Sequence, residues 1–182
     1  MATLRQSNSY SKIHVVPYTR NSKQKNKAYI KTIPPQKIVK FSMGDGKLYT
    51  QGKFPFELSL MCAERVQIRN NALDACRQHL NKKLDQACAG QYLFKVIPYP
   101  HHIQRENKML TGAGADRMQT GMQLSFGKTI AKAALVKPGS KIFFIAVGTP
   151  KAVQVVRESY KEIKPKLPCR TKIVYEDKTK KS

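Results

Sequence analysis

No acidic residue occurs before Asp45, and over the whole chain 34 lysines and arginines stand against 11 aspartates and glutamates, a formal charge of +23 on 182 residues. A folded body with that surplus repels itself, and the compact state is easiest to sustain when a polyanion neutralises part of it. The excess points to nucleic acid and away from a free metabolic enzyme. Apolar residues make up 41% of the chain, enough for one core, so a single small domain with basic extensions is expected. The longest apolar run, Ile142 to Val147, fits one buried strand and falls well short of the roughly 18 to 20 residues needed to cross a bilayer as a helix. The first residues lack the apolar stretch of an export signal, so a cytoplasmic location and no membrane partner are expected. The four cysteines, Cys62, Cys76, Cys88 and Cys169, are spaced by 14, 12 and 81 residues. They lack the close pairs of a zinc site and are expected to be reduced, small apolar residues. No metal, no cofactor and no catalytic residue is expected.

Charge and periodicity divide the chain. Residues 1–36 read as a basic extended arm: Arg20, Lys23, Lys25 and Lys27 sit among tyrosines, and Pro17, Pro34 and Pro35 interrupt regular structure. Such a run is often only a solvated tail, but interleaved aromatics without any acid favour an arm ordered on RNA. A single α+β domain is expected over 37–175, followed by a basic tail at 176–182. After a short alternation at Lys37 to Phe41 and a turn signal at Gly44-Asp45-Gly46, Phe54, Phe56, Leu58 and Leu60 alternate as a strand. Pro55 pushes it towards a sheet edge or towards its own first residues. From about Ala63 the period changes, and Leu73, Cys76, Leu80 and Leu84 step by 3, 4 and 4 as the stripe of a helix of roughly twenty residues, with Ile68 and His79 alongside. Arg65 and Arg69 then fall one turn apart on its first turns, within reach of RNA phosphates.

Further strands are expected at Tyr92 to Ile97, Lys141 to Val147 and Lys172 to Tyr175. Thr149 as N-cap with Pro150 at the first helical position opens a second helix, whose stripe of Val153, Val156, Tyr160 and Ile163 should lie on the sheet. Strands and helices interleave without a repeating β-α period. The fold class is therefore α+β: a layered core of a mixed or antiparallel sheet with two main helices, plus the arm and a long glycine-rich loop.

That loop lies between the core strands, in the segment from Pro100 to Lys128. Gly112-Ala113-Gly114-Ala115 lacks the third glycine of a dinucleotide loop, since position 117 is Arg, and no P-loop offset is present. His101 and His102 are adjacent on an extended segment and point to opposite sides, so they do not converge on one metal or one proton. Stacking or hydrogen bonding to nucleic acid is more economical. Glycines 112, 114, 121 and 127 permit close backbone approach, while Arg105, Lys108, Arg117 and Lys128 supply phosphate donors.

Pro100-His101-His102, Arg105-Glu106-Asn107-Lys108-Met109-Leu110, Gly112-Ala113-Gly114-Ala115-Asp116-Arg117, Gly121-Met122 and Phe126-Gly127-Lys128 together resemble the large-subunit ribosomal protein family known universally as the sixteenth, and as the tenth in archaea and eukaryotes. The likeness extends to Tyr18-Thr19-Arg20, Ile38 to Phe41, Met43-Gly44, Ser59-Leu60, Gln67 to Leu73 and Leu167-Pro168, nearly the whole chain, and it looks more archaeal than eukaryotic. It implies a structural component of the large subunit with neighbouring ribosomal proteins, bound to large-subunit ribosomal RNA near the aminoacyl-site transfer RNA. A mobile loop at 103–118, carrying Ile103, Asn107, Met109, Leu110, Gly112, Gly114 and Asp116, is implied to point at the peptidyl transferase centre. The chain departs from the family where Gln123 and Leu135 stand for Arg, Thr129 for Pro and Ala131 for Gly, so no RNA contact is expected from these four; Lys132 is close by to compensate. Two other classes fit less well. A non-ribosomal RNA-binding or RNA-modifying protein lacks a positioned nucleophile, carboxylate cluster or cofactor loop in this sequence, and a polybasic membrane-surface binder lacks a strongly amphipathic arm.

Overall fold

The computed structural model describes residues 11, 24, 30, 32–106 and 128–178. Its strands pair antiparallel throughout, in two sheets. The larger sheet orders β1 (Ser42–Gly44), β4 (Tyr92–Val96), β7 (Lys141–Val147), β2 (Phe56–Cys62) and β8 (Thr171–Asp177) side by side. The smaller orders β3 (Val66–Arg69), β6 (Lys128–Val136) and β5 (His102–Glu106). The α+β class is borne out, with the sheet question resolved as antiparallel.

Cross-strand pairing explains which side chains go inward. Leu58 faces Ile145, which faces Phe94, and Leu60 faces Phe143, which faces Val96. These rows are buried beneath the long helix α2 (Asn70–Cys88) and α3 (Pro150–Ile163). The expected stripes hold: Leu73, Cys76, Leu80 and Leu84 of α2, and Val153, Val156, Tyr160 and Ile163 of α3, are all buried. Each such large apolar side chain contributes roughly 1.5–3 kcal/mol relative to exposure. Tyr160 also donates its hydroxyl to the Leu58 carbonyl at 3.2 Å, fastening α3 to β2. Between the helices, a His79 ring nitrogen and the Glu162 carboxylate share a 2.6 Å hydrogen bond, and Lys83 Nζ lies 3.4 Å from Glu162 Oε1. On the opposite face Phe54, Leu93, Phe144 and Ala146 form a second cluster under the short helix α1 (Gly46–Thr50).

Several expectations change. The helical period does not begin near Ala63: residues 66–69 form β3, buried at every position, and α2 starts at Asn70. Ile68 is therefore a strand residue, and Arg65 and Arg69 do not share a helical turn. β2 lies between β7 and β8 rather than at an edge, with Pro55 just before its first residue, where no ladder donor is lost. The first strand forms at Ser42–Gly44, one step beyond the Lys37 to Phe41 alternation, although that alternation is kept in burial, with Ile38 buried and Val39 79% exposed. β8 continues to Asp177, and Lys178 pairs with the buried Glu57 carboxylate at 2.5 Å, so the first residues expected in the tail pack on the large sheet. The arm meets the domain at several described points, Ser11, Ile30 and Thr32 among them. Ile30 is 1% exposed, and the Ser11 carbonyl accepts from the Gln67 N–H at 3.2 Å on the outer edge of β3.

Candidate nucleic-acid interface

The recognisable segment is carried by a β-hairpin. β5 and β6 pair from His102 opposite Ala133 to Glu106 opposite Lys128, with the register shifting between Gln104 and Arg105. Residues 107–127 thus leave and return at one paired position. A bulge of this kind re-aims the side chains beyond it and adds local twist. The expected loop boundary is corrected: 103–106 are strand, and Ile103 is buried opposite Lys132, because pairing with β6 extends to the last residue before the loop.

Pairing also shows which expected residues meet. Ile68 and Ala134 are opposite one another and enter the main core. The other face of the small sheet carries Gln67 opposite Leu135, Arg69 and His102 on either side of Ala133, and Gln104 opposite Ala131. Gln104 Nε2 donates to Gln67 Oε1 at 3.3 Å. This face is polar, yet it is covered: Arg69 is 8% and His102 1% exposed. The sequence leads one to expect both as RNA contacts, and here they lie inside the protein. Burying polar groups is tolerable only with partners, and Arg69, His102 and Gln67 all have them. They support the small sheet from within.

The exposed neighbours lie around that sheet. His101 is exposed, opposite in direction to His102 as extended backbone requires, and its ring Nδ1 is 3.0 Å from the Tyr99 carbonyl oxygen. Tyr99 is 59% exposed and stacks on Phe41, with ring centroids 5.2 Å apart and planes 27° apart. Lys40 and Lys128 are exposed, while Arg105 and Lys132 are half-buried. Sequence reasoning misses Tyr99, because Pro98 and Pro100 make it read as a strand terminator. Its aromatic ring and the nearby histidines are visible in the sequence, but its exposure is revealed only by the fold.

One departure from the family pattern acquires a role. Thr129 donates its hydroxyl to the Thr32 carbonyl at 2.8 Å, a bond that a proline there would not make, and it ties the extended segment before β1 to the base of the hairpin. Ala131 and Leu135 sit within β6, in register with Gln104 and Gln67; Gln123 lies outside the described residues. Also outside them are Arg20, Lys23, Lys25, Lys27, Asn107, Lys108, Met109, Leu110, Gly112, Gly114, Asp116 and Arg117. Among the described residues no group of three or more His, Cys, Asp or Glu is placed to hold a metal ion, and no helix is long and apolar enough to cross a membrane.

Comparison with known proteins agrees with this geometry. The model of the family described as ribosomal protein L16p/L10e matches residues 14–174. The chain is 40% identical over 172 residues to the large ribosomal subunit protein uL16 of Methanococcus aeolicus, covering 94% of this chain and 93% of that one. It is 42% identical over 161 residues to that of Archaeoglobus fulgidus, covering 88% and 86%. With that of Sulfolobus acidocaldarius it shares 42% identity over 175 residues, covering 93% and 92%. On a match that spans both sheets, both helices and the hairpin, the chain belongs to the ribosomal protein L16p/L10e family, in its archaeal type.

Proposed function

We propose that this chain binds large-subunit ribosomal RNA near the aminoacyl-site transfer RNA and the peptidyl transferase centre, using the β5–β6 hairpin and the basic arm as its two holds. As a ribosomal protein it has a structural role in the large subunit during translation, works in the cytoplasmic ribosome, and partners ribosomal RNA and other ribosomal components. The finer assignment rests on one observation: the pairing of Glu106 with Lys128 gives the glycine-rich 107–127 segment a rigid, closed base. A long segment anchored that way can be presented to a shaped RNA surface while the core stays outside it. Arg105, Lys108, Arg117 and Lys128, with Arg20, Lys23, Lys25 and Lys27 of the arm, neutralise phosphates. His101 and Tyr99 stack or hydrogen-bond, and Arg69 and His102 hold the sheet beneath them. Asn107, Met109, Leu110, Gly112, Gly114 and Asp116 approach the catalytic RNA and the transfer RNA, and the chemistry belongs to the RNA.

Binding to the isolated large-subunit RNA, measured against salt concentration, tests the arm. Log affinity falls with log salt by about 0.7–0.9 per neutralised phosphate, so replacing Arg20, Lys23, Lys25 and Lys27 together with Gln should flatten the slope by roughly one unit per lost contact. An unchanged slope removes the arm from the interface. For the hairpin, hydroxyl-radical footprints on large subunits with the radical source tethered at position 108 should fall on RNA of the peptidyl transferase centre; footprints confined elsewhere would end that assignment.

A further inference from the structure

The large sheet turns one face to α2 and α3, and α1 covers one end of the other, over Phe54, Leu93, Phe144 and Ala146. Beyond that end the outer face carries three lysines that are far apart in sequence. Lys95, between the buried Phe94 and Val96, lies in a cross-strand row that runs from Ser42 through Phe144 and Ser59 to Val174. Lys141 and Lys172 lie in the next row, on either side of Met61. Ile173 packs on the main core, so Lys172 points away from it. The register shift between Leu60 and Met61 turns Lys141 to the same side, where its Nζ stands 5.8 Å from the Phe144 ring centroid. All three lysines and Ser42 are exposed, and neither row contains an acid. The acids of this face, Glu57 and Glu176, oppose one another in the row of Leu93 and Ala146. Glu57 is buried there, held by the Tyr49 hydroxyl at 2.8 Å and by Lys178.

We propose that this lysine-bearing half of the outer face is a third RNA-binding surface, on which Lys95, Lys141 and Lys172 hold phosphates of one stretch of large-subunit ribosomal RNA backbone. Neighbouring strands are about 4.8 Å apart, so Lys95 on β4 and Lys172 on β8, three strand intervals apart, are separated by about 14 Å. One small anion cannot meet all three ammonium groups, whereas a sugar-phosphate backbone crossing the strands can. Ser42 extends the line to the sheet edge as a neutral donor, and the half-buried Met61 and Val174 give the sugars an apolar floor between the lysines. Lysine is a point charge without the fork that reads a base edge, so the surface positions RNA and does not select its sequence. The inference rests on the ribosomal-RNA reading above and adds to it a surface that neither the arm nor the hairpin includes.

The test replaces Lys95, Lys141 and Lys172 together with Gln in the full chain and measures binding to isolated large-subunit RNA against salt concentration. The slope of log affinity on log salt should flatten by about two to three units, one per lost phosphate contact. Lys82→Gln, Lys151→Gln and Lys161→Gln together remove the same charge from exposed positions on α2 and α3, and should flatten it by less than about one unit. Equal flattening in both variants would show net charge alone, and a parental slope in the sheet variant would remove this face from the interface; either overturns the proposal. A parental slope in the sheet variant beside a flattened one in the arm variant ends this surface alone, whereas an unsubstituted chain that does not bind the RNA ends the RNA reading with it. Lysine acetylation mapped by mass spectrometry on the unsubstituted chain needs no variant to fold. Protein-free RNA should slow acetylation of Lys95, Lys141 and Lys172 roughly fivefold and leave Lys82 and Lys151 at their free rates. Protection in whole large subunits without protection by protein-free RNA would assign the face to a neighbouring protein and overturn the proposal.

Discussion

Gly44 shows how a single position is dictated by its surroundings. Its φ is +84°, and a Cβ built there would lie 2.0 Å from the Tyr92 carbonyl oxygen, which itself accepts from the Asp45 N–H at 2.9 Å. Both the left-handed backbone and the close approach require glycine. Gly44→Ala should therefore cost about 2–4 kcal/mol, from backbone strain and displacement of β4 together, measured as a fall in the urea midpoint. A loss under about 0.5 kcal/mol would mean that the β1–β4 junction gives way freely. The glycine pair around Asp45 is legible as a turn because turn chemistry is local; the identity of the atom that excludes a side chain is not, since Tyr92 is far along the chain. The histidine pair divides in the same way. Alternation tells that His101 and His102 point apart, but which one goes inside depends on what covers the small sheet, and neither residue type nor spacing carries that information.

Elements are legible to the extent that their signals are local. Thr149 accepts from the Ala152 N–H, Pro150 opens α3, and the apolar stripe is buried, all as the residues announce. The Thr149 bond is long, 3.4 Å, so Thr149→Ala should cost only about 0.5–1 kcal/mol, the low half of the usual N-cap range; a two-state urea titration resolves this, and a loss above about 2 kcal/mol would show that Thr149 does more than cap. β3 and β6 are illegible for different reasons. Val66-Gln67-Ile68-Arg69 alternates over only four residues and runs into α2 without a breaker, so Ile68 reads equally well as part of the helical stripe. Lys128 to Val136 is rich in alanine, with Ala131, Ala133 and Ala134, a poor strand composition, and becomes a strand because β3 and β5 pair with its two edges. The outer edge of β3 is in turn met by Ser11. Deleting residues 1–29 should leave the Gln67 amide without its protein acceptor and speed its hydrogen exchange at least tenfold, while Ile145 in the middle of β7 stays protected; equal exchange at Gln67 in both chains would show that the Ser11 contact contributes no protection.

At the scale of the whole molecule, a thiol and three phenols, Cys76, Tyr49, Tyr92 and Tyr160, are perturbed in one direction. Burial raises Cys76 from 9.0 to about 12. Burial, then the hydrogen bond to Asp85, raises Tyr92; burial alone raises Tyr160 far above the ordinary tyrosine value. Burial and then Glu57 raise Tyr49. In each case the folded state holds a proton that the unfolded chain releases at lower pH. The folded chain binds more protons wherever pH exceeds the unfolded values, and stability falls as pH rises through that range. The loss begins near pH 9, where unfolded cysteines titrate, and steepens above pH 10 with the tyrosines. Loss of lysine charge relieves self-repulsion over the upper part of the same range and opposes the trend, but it is spread over the surface and screened by salt. Cys76 alone is worth on the order of 2–3 kcal/mol by pH 11, since each tenfold difference in proton affinity between the folded and unfolded chain corresponds to about 1.4 kcal/mol. The urea midpoint should therefore decline steadily from pH 8.5 to 11 at fixed ionic strength. Cys76→Ala loses packing at every pH but removes one of these groups, so its deficit relative to the parent chain should shrink at the alkaline end. A deficit that stays constant from pH 8.5 to 11 would show that the Cys76 thiol titrates no differently in the core than in the unfolded chain.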